Sequence, residues 1–288
     1  MLLRILTAAV LIPVVVLLVW FGPPLLLAAV AAVVAILALL EFFHLGDRYG
    51  IGAFRKWTLV CSALVFYAQY SAGLVQSRSF GVDVVLLHRT AIIPVSLSLE
   101  AVALIFLFGC VAIGLATHRP LHDVLPASAV SAAGILFVVF PFSYLVRINE
   151  IERVGRHLVL FTLVLVWAGD MLAYFVGRFF GHLPLAPALS PKKTWEGALG
   201  NVAASLLVGV FFARWMEVDA VTLIVIAALA NIAGQAGDLI ESAWKRGAAV
   251  KDSGTLLPGH GGMLDRIDSL ILASPVVWAL YVWIAMPR

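Results

Sequence analysis

The stretch Ala220–Lys245, AVTLIVIAALANIAGQAGDLIESAWK, decides the fold. Its first half is apolar, and at 1.5 Å per residue the whole stretch is long enough to cross a hydrocarbon core about 30 Å thick. Its polar residues recur mostly at spacings of three or four, which places them on one helical face. Lipid offers such groups no hydrogen-bond partner, so this face is predicted to turn toward the interior of a helix bundle or a water-filled cavity. The polar face consists of Asn231, Gln235, Asp238, Glu241, Ser242 and Lys245.

Similar apolar runs fill most of the chain. The mean hydropathy is +1.06 and only 12% of the residues are charged, against about 25% in soluble globular proteins. Composition therefore excludes a soluble domain of this length. We predict an all-α, polytopic integral membrane protein with about nine transmembrane helices. The predicted spans lie near residues 3–20, 24–43, 57–75, 91–117, 127–146, 157–177, 198–214, 220–242 and 268–286.

The chain is expected to divide in two. Residues 1–150 would form about five N-terminal spans, a lipid-facing part that could mediate dimerisation, and residues 151–288 would form a catalytic membrane domain. The first apolar run resembles a secretory signal. However, no clear small-residue cleavage site follows it, and a second apolar run begins at Pro24, so we interpret it as a retained span.

The distribution of cations predicts the orientation. With nine spans, twelve of the nineteen Lys and Arg residues fall on the side of the N-terminus. The positive-inside rule then favours a cytoplasmic N-terminus, with the polar loops after Arg178 and after Lys245 on the same side. The expected location is a bacterial inner membrane.

Several carboxylates lie in or at the ends of apolar runs, where an ionised group costs about 2.5–3.5 kcal/mol at the bilayer centre. Glu41 ends a span and is interpreted as an interfacial residue. Asp170, Tyr174 and Arg178 are spaced at i, i+4 and i+8, so they share one helical face. A self-neutralising pair of Asp170 with Arg178 is the structural alternative to a functional role.

The segment Lys251–Ser269, KDSGTLLPGHGGMLDRIDS, links the two most polar helix ends. Asp265 and Asp268 stand at i, i+3 at the start of the last span, opposite the carboxylates that end the preceding one. Mg²⁺ prefers such oxygen ligands together with substrate phosphates, and the surplus of nearby cations suits anionic oxygens. The glycines would let the backbone approach a phosphate closely. This pattern predicts a metal and phosphate site at the cytoplasmic surface.

Three sequence blocks carry a resemblance to a known family. The first runs from Ser242 to Asp268 as SAWKR, KD, PGHGG and DRID; the second is SPKKTWEG at 190–197; the third is Asp170-x-x-Ala-Tyr-x-x-Gly-Arg178. Together they resemble the phosphatidate cytidylyltransferases, also called CDP-diacylglycerol synthases. One departure is Trp244, where the family has Phe or a large aliphatic residue. The first 150 residues match only as a series of apolar spans.

The resemblance implies a reaction in which CTP and phosphatidic acid give CDP-diacylglycerol and pyrophosphate with Mg²⁺, the number of metal ions being open. Binding partners would be CTP, phosphatidic acid, the lipid bilayer and a second copy of the chain, with no nucleic acid. The implied metal ligands are Asp238, Asp265 and Asp268, with Asp170 as a further candidate. The other implied catalytic residues are Lys245, Arg246 and Arg266. The implied substrate-binding residues are Arg178, Ser190, Lys192, Lys193, Thr194, Ser242, Gly259, His260, Gly261 and Gly262.

Two other functions fit parts of the sequence. A CTP-dependent kinase of a polyprenol-type lipid would need the same metal, nucleotide and membrane-borne acceptor, but it would transfer the γ-phosphate. An ion-coupled secondary transporter could use intramembrane carboxylates to carry protons or Na⁺. Against the transporter, the acids and cations gather at one end of the helices and not near the midplane.

Overall fold

The computed structural model describes residues 2–79, 97–117, 120–256 and 261–285, with backbone alone for 2–8 and 73–79. The described residues are mostly helical. The helices are α1 (Leu2–Phe21), α2 (Pro24–Arg48), α3 (Arg55–Ser79), α4 (Leu99–Ala116), α5 (Leu121–Gly134), α6 (Phe140–Phe142), α7 (Tyr144–Asn149), α8 (Gly155–Phe180), α9 (Trp195–Met216), α10 (Ala220–Gly247) and α11 (Leu264–Leu280). π-Helical segments cover Ile135–Val139 and Tyr281–Ala285, and two strands are β1 (Pro184–Ala186) and β2 (Ser190–Thr194).

Seven helical segments of the described residues are long and apolar enough to cross a membrane. They are α2, α4, Leu121–Asn149, α8, α9, α10 and Leu264–Ala285. Large apolar side chains cover much of their outer surface, such as Leu121 at 90% exposure and Leu115 at 84%. The prediction of an all-α integral membrane protein is therefore confirmed. The count of nine is not confirmed: α1 and α3 are helical, but the described apolar part of α1 is short and α3 carries many polar residues.

Prolines interrupt the long segment Leu121–Asn149 without ending it. Pro141 has no N–H to donate, and its ring excludes the carbonyl four residues earlier. The helix adapts by widening into the π-helical turn Ile135–Val139 directly before that proline. Such local adjustments are tolerated in membrane helices when neighbouring helices pack around them. Val138 and Val139, within this turn, are fully buried.

A small β-hairpin lies between α8 and α9, and the sequence analysis did not predict it. Pro184 pairs with Thr194 and Ala186 pairs with Ser190 in antiparallel register. β2 consists of the polar residues SPKKT, which show none of the apolar alternation that marks a half-buried strand. The hairpin presents Lys192 and Lys193 directly before α9 begins.

The last four long helices form a packed unit. α8 packs on α9, α9 on α10, and α10 on α11, while α11 also contacts α2, α6 and α7. The buried core runs continuously across residue 150 and includes Phe43, Ile148, Leu158 and Ile226. The division into two parts at residue 150 stays a prediction.

Candidate active site

A cavity of about 710 Å³ opens between α8, α9, α10 and the β-hairpin. Its polar lining brings together residues that are up to 68 positions apart in the sequence, from the second and third motif blocks and from the polar face of α10. These polar lining residues are Asp170, Tyr174, Arg178, Lys192, Lys193, Thr194, Asn201, Gln235 and Asp238. The cavity therefore combines carboxylates, amides and three cations, as a site for an anionic ligand with a metal would.

The polar face of α10 points inward, as predicted. Asn231 is buried, and its Nδ2 donates to Asn201 Oδ1 and Ser205 Oγ, both at 2.5 Å. Gln235 Nε2 donates to Asn231 Oδ1 at 2.7 Å. Gly169 of α8 lies against this network and makes room for it, since a Cβ there would lie 2.0 Å from Asn201 Oδ1. The amides thus satisfy one another between α8, α9 and α10.

Asp170 stands at the edge of this amide network. Its Oδ1 accepts a hydrogen bond from Asn201 Nδ2 at 3.4 Å. Asp170, Tyr174 and Arg178 all line the cavity, which confirms the shared helical face. Arg178 Nη1 donates to the Tyr174 hydroxyl at 2.7 Å, and no ion pair joins Arg178 to Asp170 among the described contacts. The alternative of a self-neutralising Asp170–Arg178 pair is wrong.

Three carboxylates come together where α10 meets α11. Oxygen atoms of Asp238, Glu241 and Asp268 all lie within 4.8 Å of one another. Asp238 pairs with Lys193 of β2, and Asp268 Oδ1 accepts from the Ser269 N–H at 2.6 Å. Neither carboxylate oxygen of buried Glu241 accepts a hydrogen bond. Oε2 forms an ion pair with Lys245. A hard divalent cation fits this set of three carboxylates, because Lys193 and Lys245 offset only part of their negative charge.

Lys245 and Asp265 form a second group beside the three carboxylates. Lys245 Nζ lies 2.5 Å from Asp265 Oδ1 and also pairs with Glu241. Asp265 Oδ2 accepts from the N–H groups of Ser253 at 3.0 Å and Gly262 at 2.8 Å. Both Asp265 oxygens are thus occupied by protein donors. In this arrangement Asp265 joins Lys245 to the backbone at Ser253 and Gly262, and its role as a metal ligand stays a prediction.

The glycine-rich loop is described in part. Gly261 has φ +81°, and a Cβ there would lie 2.8 Å from Asp265 Oδ2, so glycine is required on both counts. Gly262 donates to that same carboxylate. The predicted binding residues Gly259 and His260 lie outside the described residues, and their roles stay predictions.

Other predicted residues take positions around these groups. Arg246 donates from Nε to the Leu189 carbonyl at 3.0 Å and from Nη1 to the Val250 carbonyl at 3.2 Å, which ties the hairpin to the end of α10. Thr194 caps α9 by accepting from Gly197 N at 3.1 Å and also lines the cavity. Arg266 is exposed on the first turn of α11. Ser242 is buried next to Glu241, and Ser190 lies at the start of β2.

One residue of the N-terminal half reaches this end of the molecule. Glu41 of α2 accepts hydrogen bonds from Ser253 Oγ, Met263 N and Leu264 N at 2.8 to 2.9 Å. These contacts show that the Glu41 carboxylate binds other parts of the protein, while its interfacial position stays a prediction. Its position at the end of a span gave no signal of this contact. Glu241 was visible in the polar face of α10 but was not assigned a ligand role.

Comparison with known proteins identifies the group to which this arrangement belongs. A model described as "Cytidylyltransferase family" matches residues 2–284. The chain belongs to the cytidylyltransferase family. The match covers nearly the whole chain, including the N-terminal spans where the sequence motifs were unspecific. The resemblance predicted from the three motif blocks is confirmed.

Relatives in this family carry a more specific name. Proteins named phosphatidate cytidylyltransferase are 37% identical over 147 residues in Bacillus subtilis, 40% over 157 residues in Brucella abortus and 43% over 136 residues in Haemophilus influenzae. These alignments cover 50%, 54% and 45% of this chain, and 55%, 58% and 47% of the relatives. The chain thus spans about half the length of the curated relatives that it matches.

Proposed function

We propose that this chain is a phosphatidate cytidylyltransferase, which converts CTP and phosphatidic acid to CDP-diacylglycerol and pyrophosphate. The observation that carries the proposal is a cluster of three carboxylates, Asp238, Glu241 and Asp268, of which Asp238 lines a cavity that also holds three cations. A site that joins two polyanions needs both features, since metal and cations must offset their repulsion. The name of the relatives supports the choice of substrates.

Asp238, Glu241 and Asp268 would hold Mg²⁺, with Asp170 at the cavity edge as a further candidate. Bound there, the metal would offset negative charge on the CTP phosphates and on the departing pyrophosphate. Glu241 suits this role because its buried oxygens lack hydrogen-bond donors, apart from the ion pair with Lys245. Asp265 would act indirectly, by holding Lys245 and the loop in place.

Lys192, Lys193 and Arg178 would bind phosphate oxygens in the cavity. Lys193 pairs with Asp238 in this structure. Lys193 therefore stands where a metal ion would lie beside Asp238, and Asp238 stands where a phosphate would lie beside Lys193. When metal reaches Asp238 and phosphate reaches Lys193, the two side chains can separate without leaving either charge unpaired. Such an exchange of partners avoids the cost of leaving a partly buried charge unpaired.

The chemistry requires positioning more than proton transfer. A phosphomonoester has a second pKa near 6, so the lipid phosphate is mostly dianionic at neutral pH and can attack without a strong general base. One phosphate oxygen of the lipid would form a bond to the α-phosphorus of CTP. The bond from that phosphorus to the oxygen bridging to the β-phosphate would break, and pyrophosphate would leave. The protein holds the two substrates in line and neutralises their charge.

The site would open to the cytoplasm, where CTP is available, with the lipid entering from the bilayer. The excess of Lys and Arg on the N-terminal side supports this orientation under the positive-inside rule. A bacterial inner (plasma) membrane is the expected location, and the bacterial origin of the relatives supports it. A homodimer is part of the proposal, with no interface assigned.

The proposal is tested with purified protein in detergent, Mg²⁺ and pairs of substrates. CTP and ATP are each offered with phosphatidic acid, diacylglycerol or a polyprenol, and the lipid products are identified by mass spectrometry. CDP-diacylglycerol from CTP and phosphatidic acid alone is the expected result. A phosphorylated polyprenol or diacylglycerol would instead identify a lipid kinase and contradict the proposal. Absence of any product from protein that binds CTP would also contradict it.

A further inference from the structure

Glu41 of α2 contacts the polypeptide at both ends of the glycine-rich loop. Its Oε2 accepts from Ser253 Oγ at 2.9 Å and from Leu264 N at 2.8 Å, and its Oε1 accepts from Met263 N at 2.9 Å. Glu41 does not line the cavity and lies outside the cluster of three carboxylates. More than 210 residues of sequence separate it from these partners.

The contact takes the place of a helix cap. The first N–H groups of a helix have no partner within the helix, and a negative charge there is favourable. α11 begins at Leu264, and the preceding residue, Met263, makes no side-chain cap. Glu41 supplies the missing acceptor from another helix. It therefore fixes the point at which α11 starts.

The glycines on either side make this approach possible. A Cβ on Gly254 would lie 2.4 Å from Glu41 Oε1, and a Cβ on Gly262 would lie 2.3 Å from Glu41 Oε2. Any side chain at either position would displace the carboxylate. These two glycines thus make room for the contact with Glu41.

The carboxylates of Asp265 and Glu41 accept hydrogen bonds from the same segment. Asp265 accepts from the backbone N–H groups of Ser253 and Gly262, while Glu41 accepts from the Ser253 hydroxyl and from the next two N–H groups. Asp268 follows one turn later on α11 and is the member of the metal cluster that this helix contributes. Its distance from Asp238 and Glu241 therefore depends on where α11 begins.

We propose that Glu41 is a positioning residue: it anchors the start of α11 so that Asp268 completes the metal site with Asp238 and Glu241. This inference rests on the proposed function only in taking that carboxylate cluster as a metal site. It assigns to an N-terminal helix a direct part in organising the site, by way of the loop.

The test measures metal binding separately from activity. Glu41→Gln keeps the size of the side chain but replaces one carboxylate oxygen by an NH2 group, which donates and cannot accept from a backbone N–H. Asp47→Asn is the matched control, because it makes the same chemical change on the same helix at a residue whose partner is Arg55. Mn²⁺ binding to each purified protein is followed by the loss of the free-ion EPR signal. Hydrogen exchange of the segment 261–267 is measured in parallel.

Glu41→Gln should weaken Mn²⁺ binding about 10-fold or more, the scale found for residues that orient metal ligands, and should speed exchange in 261–267. Asp47→Asn should change neither. Unchanged Mn²⁺ affinity in folded Glu41→Gln protein would overturn the inference, and so would absence of Mn²⁺ binding to the wild type. If Glu41→Gln does not fold, Ser253→Ala replaces it. That variant removes one of the three hydrogen bonds, so weaker Mn²⁺ binding would support the inference and unchanged binding would overturn it.

The two proposals fail in different ways. If Mn²⁺ binding depends on Glu41 but the wild type forms no CDP-diacylglycerol, the positioning role stands and the proposed function is wrong. If the wild type is active and Glu41→Gln binds Mn²⁺ and turns over as the wild type does, the function stands and the positioning role is wrong.

Discussion

Lys193 of β2 and Asp238 of α10 form an ion pair across the wall of the cavity. One residue comes from the motif between α8 and α9 and the other from the polar face of the helix that decides the fold. Each is half-buried, and each is a candidate to bind one component of a metal–nucleotide complex. The pair therefore marks the point at which the second motif block and the polar face of α10 would share a substrate.

Replacing Lys193 by Met should raise the KM for CTP about 10-fold or more, because a charge-assisted hydrogen bond to phosphate contributes about 1.5–3 kcal/mol. The effect on kcat should be smaller if Lys193 binds CTP equally in the ground and transition states. Steady-state kinetics with varied CTP measures both. Lys56→Met is the control, since Lys56 is exposed and lies outside the cavity lining. An unchanged KM for CTP in Lys193→Met would remove this lysine from the nucleotide site.

Asp268→Asn and Asp265→Asn should both lose activity, but for different reasons. Asp268 adds a negative charge to a cluster of like charges. Asp268→Asn should therefore keep or raise the melting temperature. It should lower kcat/KM at least about 100-fold, the scale for one preorganised electrostatic group. Asp265 binds Lys245 and two backbone N–H groups, so its amide should lower the melting temperature as well. Activity and thermal unfolding of the two purified variants decide this. Equal melting temperatures would contradict the assignment of Asp265 to a structural role.

Lys245→Met should be the most destabilising of these single changes. Lys245 is buried between Glu241 and Asp265, whose side chains are only 2% and 6% exposed. Removing one member of a buried ion pair costs about 3–5 kcal/mol, because the other charges stay buried without a partner. Thermal unfolding in detergent should show a large decrease in melting temperature. Lys251→Met, at an exposed position, should leave it nearly unchanged. Similar melting temperatures for both variants would contradict the buried network.

Glu150, between α7 and α8, predicts a dependence of stability on pH. Burial raises the pKa of its carboxyl, with Arg147 acting in the opposite direction, and its Oε1 is buried without a hydrogen-bond partner. A raised folded-state pKa contributes stability below the unfolded value, near pH 4.3, and this stability is lost as pH rises through the folded value.

Glu150→Gln should therefore raise the melting temperature at pH 7 and bring it close to that of the wild type near pH 4. Melting curves across this pH range measure the difference. Glu152→Gln provides the control, because Glu152 is exposed. A stabilisation by Glu150→Gln that is constant with pH would rule out titration of Glu150 as its cause.

Much of the site could be predicted from sequence because helical periodicity is a local property. The spacing of Asn231, Gln235, Asp238 and Glu241 alone placed them on one inward face, and the hydrogen bonds to Asn201 and Ser205 confirm it. The same logic grouped Asp170, Tyr174 and Arg178. In each case polar groups are excluded from the helix faces that contact lipid, so they lie on the inward face.

The partition of roles among the carboxylates could not be predicted, because it depends on contacts between distant segments. Asp265 and Asp268 look equivalent at i, i+3, yet one binds backbone N–H groups and the other faces Asp238 and Glu241. Glu41 illustrates the same limit. Nothing local links it to Ser253 or Leu264, and only the packing of α2 beside α11 brings them together.

The hairpin β1–β2 was missed for a related reason. Its second strand, Ser190–Thr194, is short and polar, and its conformation is set by pairing with Pro184–Ala186 and by the start of α9 at Trp195. Strand propensity depends on such context more than helix propensity does.

The central claim is that this site transfers a cytidylyl group to a lipid phosphate, and the fate of the CTP phosphates tests it most directly. Purified protein is supplied with Mg²⁺, phosphatidic acid and CTP labelled in separate reactions at the α- or the γ-phosphate, with Asp268→Asn as the inactive control. Our account predicts that α-label enters the lipid fraction, that γ-label leaves as pyrophosphate, and that Asp268→Asn transfers neither. Entry of γ-label into the lipid would contradict it.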